Sequence, residues 1–161
     1  MNECKLSENN WTRVAVFAGG DRGHYRTDFD CFVGVDRGSL WVLEEDLPLA
    51  LAVGDFDSVT ADERQLIQKR AQHFVQAQPE KDDTDLELAL LTIFEQNSQA
   101  QVTIFGALGG RIDHMLANVF LPSNPKLAPY MRQIAIEDGQ NVIAYCPEGT
   151  SQLEPRSDYD Y

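Results

Sequence analysis

The sequence predicts an α/β domain with a mainly parallel sheet and helices on both faces, followed by the truncated start of an all-β unit. Three observations predict it. Apolar runs alternate with helical patterns from Arg13 to Pro122. The residues able to do chemistry stand just after apolar runs or at helix starts, where open α/β sheets bind ligands. After Pro129 no helical period follows, and two β-rich runs flank the Asp138-Gly139 pair, a hairpin signal.

The elements follow in order. Arg13 to Ala18 (RVAVFA) is apolar enough for a buried strand and closes at Gly19-Gly20. Cys31 to Val35 is a second strand, ending at Asp36 and Gly38, and Ser39 to Glu45 reads as a short helix. Leu49 to Val53 is a third strand, with Gly54 opening the next loop. Thr60-Ala61-Asp62-Glu63 is a capping box, so a helix runs from there to about Lys69, and His73 to Val75 is a short strand. Thr84 caps the clearest helix, because Leu86, Ala89, Leu90, Ile93 and Phe94 form one apolar stripe. Gln101 to Phe105 is a strand, and a helix from about Ile112 ends before Pro122. This alternation describes a Rossmann-like unit over residues 1–132. Gln133 to Ile136 and Asn141 to Tyr145 then open a second unit over 133–161, whose apolar face (Ile134, Ile136, Val142, Ile143) is expected to lack its covering sheet.

Composition narrows the function classes. The chain has 161 residues, 43% of them hydrophobic, enough for one domain with a real core. A formal net charge of -13 disfavours nucleic acid and anionic membranes as partners. A polyphosphate would have to arrive with Mg²⁺ and meet local cations. No stretch approaches the ~18 apolar residues of a spanning helix, and residues 1–10 carry no apolar signal core. Cys4, Cys31 and Cys146 are scattered and read as free thiols of a reducing compartment, the cytoplasm.

Three motifs carry chemistry. In Gly54-Asp55-Phe56-Asp57-Ser58, an extended loop would point Asp55 and Asp57 to one side with Phe56 turned inward, and paired hard oxygens suit Mg²⁺. The same residues also make a polar turn that caps the next helix through Ser58. Lys81-Asp82-Asp83-Thr84-Asp85 offers a lysine for phosphate and Asp85 for the metal, or simply an acid-rich helix start. In Gly106-Ala107-Leu108-Gly109-Gly110-Arg111-Ile112-Asp113-His114, glycine backbone, a helix N-terminus and Arg111 together suit phosphate oxygens. Asp113 and His114 read as ligand, base or orienter, or as capping and core polar groups; a lone helical histidine more often has a structural role. Gly19-Gly20 either binds phosphate or turns, Asp36 with Gly38 reaches a ribose or water-mediated metal contacts, and His24 and His73 read as surface. Taken together the motifs describe a phosphoryl-transfer site.

At these residues the chain resembles the thiamine pyrophosphokinase (thiamine diphosphokinase) family. The matching segments are Asp36-Arg37-Gly38, Asp55-Phe56-Asp57-Ser58, Lys81 to Asp85, and Gly106 to His114 with Asn118, in order and spacing over roughly residues 12–145. Arg37 stands where the family usually has glycine. The resemblance implies an α/β catalytic domain followed by a β-sandwich domain, so that 133–161 would be a partial thiamine-binding sandwich. It implies a cytoplasmic homodimer that moves the pyrophosphoryl group of ATP to the hydroxyethyl oxygen of thiamine, giving thiamine diphosphate and AMP. On this basis Asp55, Asp57 and Asp85 hold Mg²⁺. Gly19, Gly20, Asp36, Gly38, Lys81, Thr84, Gly109, Gly110, Arg111, His114 and Asn118 bind nucleotide. Asp57, Asp85, Arg111 and Asp113 are catalytic, Asp113 as metal contact or as proton acceptor. Two alternatives are another metal- and nucleotide-dependent transferase, of the nucleotide-sugar type, and an inactive nucleotide-binding fragment.

Overall fold

A computed structural model describes residues 9–78 and 83–152. Among these residues seven strands form one sheet: β1 (Arg13–Phe17), β2 (Cys31–Val35), β3 (Leu49–Gly54), β4 (His73–Gln76), β5 (Gln101–Phe105), β6 (Ile134–Glu137) and β7 (Val142–Ala144), in the order β4-β3-β2-β1-β5-β6-β7. All neighbouring pairs run parallel except the β6–β7 hairpin. The helices are α1 (Gly38–Glu44), α2 (Ala61–Arg70), α3 (Asp85–Gln96) and α4 (Ile112–Phe120).

Strand periodicity divides the core. Val14 and Val16 of β1 enter one cluster with Leu90 and Ile93 of α3, while Ala15 and Phe17 enter the other with Leu40 of α1 and Ile67 of α2. Both faces are therefore covered, as a parallel sheet requires. The capping box of α2 forms as expected: Thr60 Oγ1 accepts from the Glu63 N–H at 3.3 Å, and the Thr60 N–H donates to Glu63 Oε2 at 2.7 Å. The α3 stripe is buried along its length. Gly38 begins α1 so close to β1 that a Cβ there would stand 1.9 Å from the Phe17 carbonyl oxygen; no other residue permits this approach.

The expected unit boundary at 132/133 falls inside a continuous sheet. β6 lies parallel to β5, pairing Ile104 with Ile136 and Phe105 with Glu137, and β7 adds to its far edge. Ile134 and Ile136 are buried in the main core, so the expected exposed apolar face is not there. The loss of helical period that suggested a new unit is instead a proline-rich crossover. Pro122 and Pro129 each sit in a short 3-10 turn, Leu121–Ser123 and Ala128–Gln133, that carries the chain from α4 back to β6. The Asp138-Gly139 turn does form: Asp138 Oδ1 accepts the Gln140 and Asn141 N–H groups at 2.8 and 2.7 Å.

Exposed apolar residues lie on α4. None of its residues is buried, and Ile112, Leu116 and Phe120, four apart along one face, are 69%, 45% and 64% exposed. The long β1–β2 connection is tied down by Arg26, whose Nε and Nη2 donate to Glu137 Oε1 and Oε2 at 2.9 and 3.2 Å. Glu137 is only 1% exposed, and the fork gives its buried carboxylate a two-point cationic partner.

Candidate active site

The strand order reverses between β1 and β5, since β2 lies on one side of β1 and β5 on the other. The loops beyond their carboxyl ends part there, and a cleft of about 670 Å³ opens. Gly19, Gly20 and Gly106 line its base, where the Gly20 N–H donates to the Gly106 carbonyl at 3.0 Å. Asp36 and Asp55 enter from the ends of β2 and β3, Thr84 and Asp85 from the start of α3, and Arg111, Asp113, His114 and Asn118 from α4.

Three carboxylates converge. Asp36, Asp55 and Asp85 each present an oxygen, and these oxygens all lie within 4.8 Å of one another. Asp36 is half-buried in left-handed backbone (φ +48°), and its Oδ1 accepts the Phe56 N–H at 3.0 Å. Burial, with Asp85 and Asp55 adding their charges, pushes its carboxyl up to about 6 against the opposing pull of the Phe56 N–H. Hard oxygen donors crowded at unfavourable cost are what a divalent cation relieves, so the set fits Mg²⁺.

Asp57 stands outside this cluster. The loop is not extended: Phe56 is left-handed (φ +60°), 3% exposed, and stacked on Phe74 at 4.7 Å between ring centroids. Its burial was expected, but the left-handed turn breaks the alternation that would have aimed both acids one way. Asp55 faces the cleft; Asp57 is exposed, and its N–H donates to Asp55 Oδ1 at 2.9 Å. Asp36, which the sequence offered for a ribose or for water-mediated metal contacts, takes the third corner.

The opposite wall suits an anion. Gly109 is left-handed (φ +85°), and a Cβ there would stand 2.8 Å from Asp21 Oδ2. Thr84 caps α3 by accepting from the Glu87 N–H at 3.1 Å, but at α4 the N-cap Arg111 supplies no such acceptor. Arg111 thus caps none of the first amides of α4, although the His114 N–H is drawn to the Asp113 carboxylate. Arg111 projects its fork onto Asp113, with Nε–Oδ1 3.2 Å and Nη2–Oδ2 2.6 Å. That guanidinium holds the Asp113 carboxyl below the usual carboxylate range. His114 is exposed, its Nε2 4.0 Å from Asp113 Oδ2, and has no core role. Asn118 acts on the loop: its Nδ2 donates to the Ala107 carbonyl at 3.0 Å, bracing the glycine turn.

Gly38 is buried at the start of α1 and does not line the cleft. Lys81 lies outside the described residues. Sequence reasoning passed over Ser58, Gln78 and Asp83, which also line the cleft. Asp83 sat inside a recognised motif, whereas Gln78 carried no signal. Cys31 is a buried free thiol, and Cys146 an exposed one. No helix among the described residues is long and apolar enough to cross a membrane.

Comparison with known proteins agrees with this geometry. The family model for the catalytic domain of thiamin pyrophosphokinase matches residues 23–131, which contain all three motifs. A thiamine pyrophosphokinase of Bacillus subtilis (strain 168) is 36% identical over 147 residues, covering 88% of this chain and 67% of its own length. The crystal structure of a thiamin pyrophosphokinase family protein from Enterococcus faecalis superposes with a TM-score of 0.81 at 47% identity, over 86% of this chain and 67% of that one. Yeast thiamin pyrophosphokinase shares the fold at a TM-score of 0.59 and 12% identity, over 88% of this chain and 64% of the yeast chain. The chain thus spans about two thirds of the length of these relatives. It belongs to the thiamin pyrophosphokinase family, the enzymes that make thiamine diphosphate by pyrophosphoryl transfer.

Proposed function

We propose that the cleft takes Mg²⁺-ATP and thiamine and moves the pyrophosphoryl group to the thiamine hydroxyethyl oxygen, releasing AMP. The observation that carries this reading is the opposition of two walls. Asp36, Asp55 and Asp85 cluster on one side, and the N-terminus of α4 with Arg111 lies on the other. A triphosphate fits between a cation site and an anion site so arranged.

Asp36, Asp55 and Asp85 hold the Mg²⁺. When bound, the ion neutralises phosphate oxygens and makes the β-phosphorus more electrophilic. Gly109, Gly110 and the first amides of α4 receive phosphate oxygens, and Arg111 meets the charge that grows toward the AMP leaving group. Asp113, held ionised by Arg111, is a weak base; it orients the arginine fork between turnovers. Asp57, exposed beside Asp55, contacts the metal-nucleotide complex at the mouth of the cleft. Lys81 adds charge to the same phosphates. Thiamine, a cationic aromatic, suits an acid-lined cleft.

The proposed assembly is a cytoplasmic homodimer, supported by the uncovered apolar face of α4. Sedimentation velocity should show a dimer that Leu116→Glu dissociates, with a dissociation constant raised on the order of tenfold or more. A monomeric parent chain would remove the homodimer. The activity itself is tested by AMP formation from ATP and thiamine, abolished by EDTA and restored by Mg²⁺. UDP release from sugar nucleotides without AMP formation would favour the nucleotide-sugar transferase reading instead.

A further inference from the structure

Asp85 is flanked, two residues away on each side, by acids that a distant segment grips. Asp83 Oδ1 accepts from Lys126 Nζ at 2.5 Å, and Glu87 Oε1 accepts from Asn124 Nδ2 at 2.5 Å. The two donors are coupled, because the Lys126 N–H donates to Asn124 Oδ1 at 2.9 Å. The segment is itself braced: the Asn124 carbonyl accepts the Leu127 and Ala128 N–H groups at 2.9 and 2.8 Å. Glu87 is 6% exposed, so its carboxylate is inside the protein, while the Asp83–Lys126 pair is half-exposed. A half-exposed pair contributes little to stability. Its geometry is the informative part: the grip falls on the first turn of α3, and the gripping segment follows directly from α4.

We infer that Asn124 and Lys126 are positioning residues that hold the first turn of α3 so that Asp85 meets Asp36 and Asp55. This inference rests on the metal-site reading above. The grip also joins the two walls of the cleft, since α4 carries Arg111 at its start and the segment after its end holds the acids on either side of Asp85. A simple charge effect predicts the opposite sign. Lys126 is a cation near three carboxylates, so its removal would tighten cation binding by Coulomb's law alone. Loss of positioning weakens binding, on the order of tenfold for a support one step removed from a metal ligand.

The test uses the full chain, with Mn²⁺ as the probe, in Lys126→Met, Lys126→Arg and Asn124→Ala. Calorimetry should give Mn²⁺ dissociation constants raised about tenfold in Lys126→Met and Asn124→Ala, and within about threefold of the parent in Lys126→Arg. Metal-free hydrogen exchange should quicken at residues 84–88 in the first two variants and stay unchanged in the sheet. Tighter Mn²⁺ binding by Lys126→Met, or exchange at 84–88 equal to the parent, overturns the positioning role. Exchange quickened throughout the sheet also overturns it, by showing a general structural role. Asp85→Asn separates the two readings: if it binds Mn²⁺ as the parent does, the metal site fails. The exchange data then still decide whether the segment holds the turn.

Discussion

Asp36 Oδ1 accepts the Phe56 backbone N–H at 3.0 Å, and this bond fastens the end of β2 to the loop that follows β3. It also sets the charge problem of the site. The bond holds Asp36 where its carboxylate must share a half-buried corner with Asp55 and Asp85. The backbone at Gly54 leaves room for it, since a Cβ there would stand 2.0 Å from Asp36 Oδ1.

That corner makes metal binding and stability depend on pH. Asp36 has its carboxyl raised to about 6, so in the metal-free protein its contribution is fully present below the ordinary carboxylate range and is lost as pH rises through about 6. The Mn²⁺-induced rise in melting temperature should therefore be largest above pH 6, on the order of 5 °C from this group, and shrink toward pH 4. Asp36→Asn should abolish that increment and flatten the pH dependence of the metal-free melting temperature between pH 4 and 6, read by scanning calorimetry. An unchanged increment in the variant would place the cation elsewhere.

Asp55 and Asp57 should separate in their effects, although they are two residues apart. Asp55→Asn should weaken Mn²⁺ binding to the nucleotide-free protein by on the order of tenfold or more, because it removes one of three clustered ligands. Asp57→Asn should leave that affinity within about threefold and act instead on turnover, lowering kcat for AMP release. Calorimetry without nucleotide, beside steady-state AMP release, checks both halves. Equal loss of Mn²⁺ affinity would show that the left-handed turn at Phe56 does not keep Asp57 away.

Arg111→Lys should lower kcat on the order of 10²-fold, since a planar fork that spans both oxygens of Asp113 becomes a point charge. The KM for ATP should change less than kcat. If the KM rises with kcat intact, Arg111 binds the ground state only.

Arg26→Ala should destabilise the fold by up to about 3 kcal/mol, because it removes the two-point cationic partner of the buried Glu137 carboxylate. The double change Arg26→Ala with Glu137→Leu should recover much of that loss, since it removes the buried charge together with its partner. Urea unfolding of the single and double variants gives the comparison. A double variant no more stable than Arg26→Ala would mean that stacking of the guanidinium over Phe29 sets the cost.

The sequence by itself determined what is local. The alternation in β1 assigns Val14 and Val16 to one face and Ala15 and Phe17 to the other, and the stripe from Leu86 to Phe94 assigns the buried side of α3. The caps at Thr60 and Thr84 were legible because a cap is made within three residues. The phosphate-side motif was legible for the same reason, since glycine turn, arginine and helix start are contiguous. Tertiary structure alone decided what depends on which strands become neighbours. It placed Asp36 with Asp55 and Asp85, because β2 and β3 are adjacent and α3 begins above them. It sent Asp57 outward, because Phe56, stacked on Phe74, takes the left-handed conformation. It drew β6 and β7 into the first sheet, where Ile134 and Ile136 are buried beside β5. It brought Asn124 and Lys126 to the foot of α3 across a crossover shaped by prolines, a contact that no local pattern encodes.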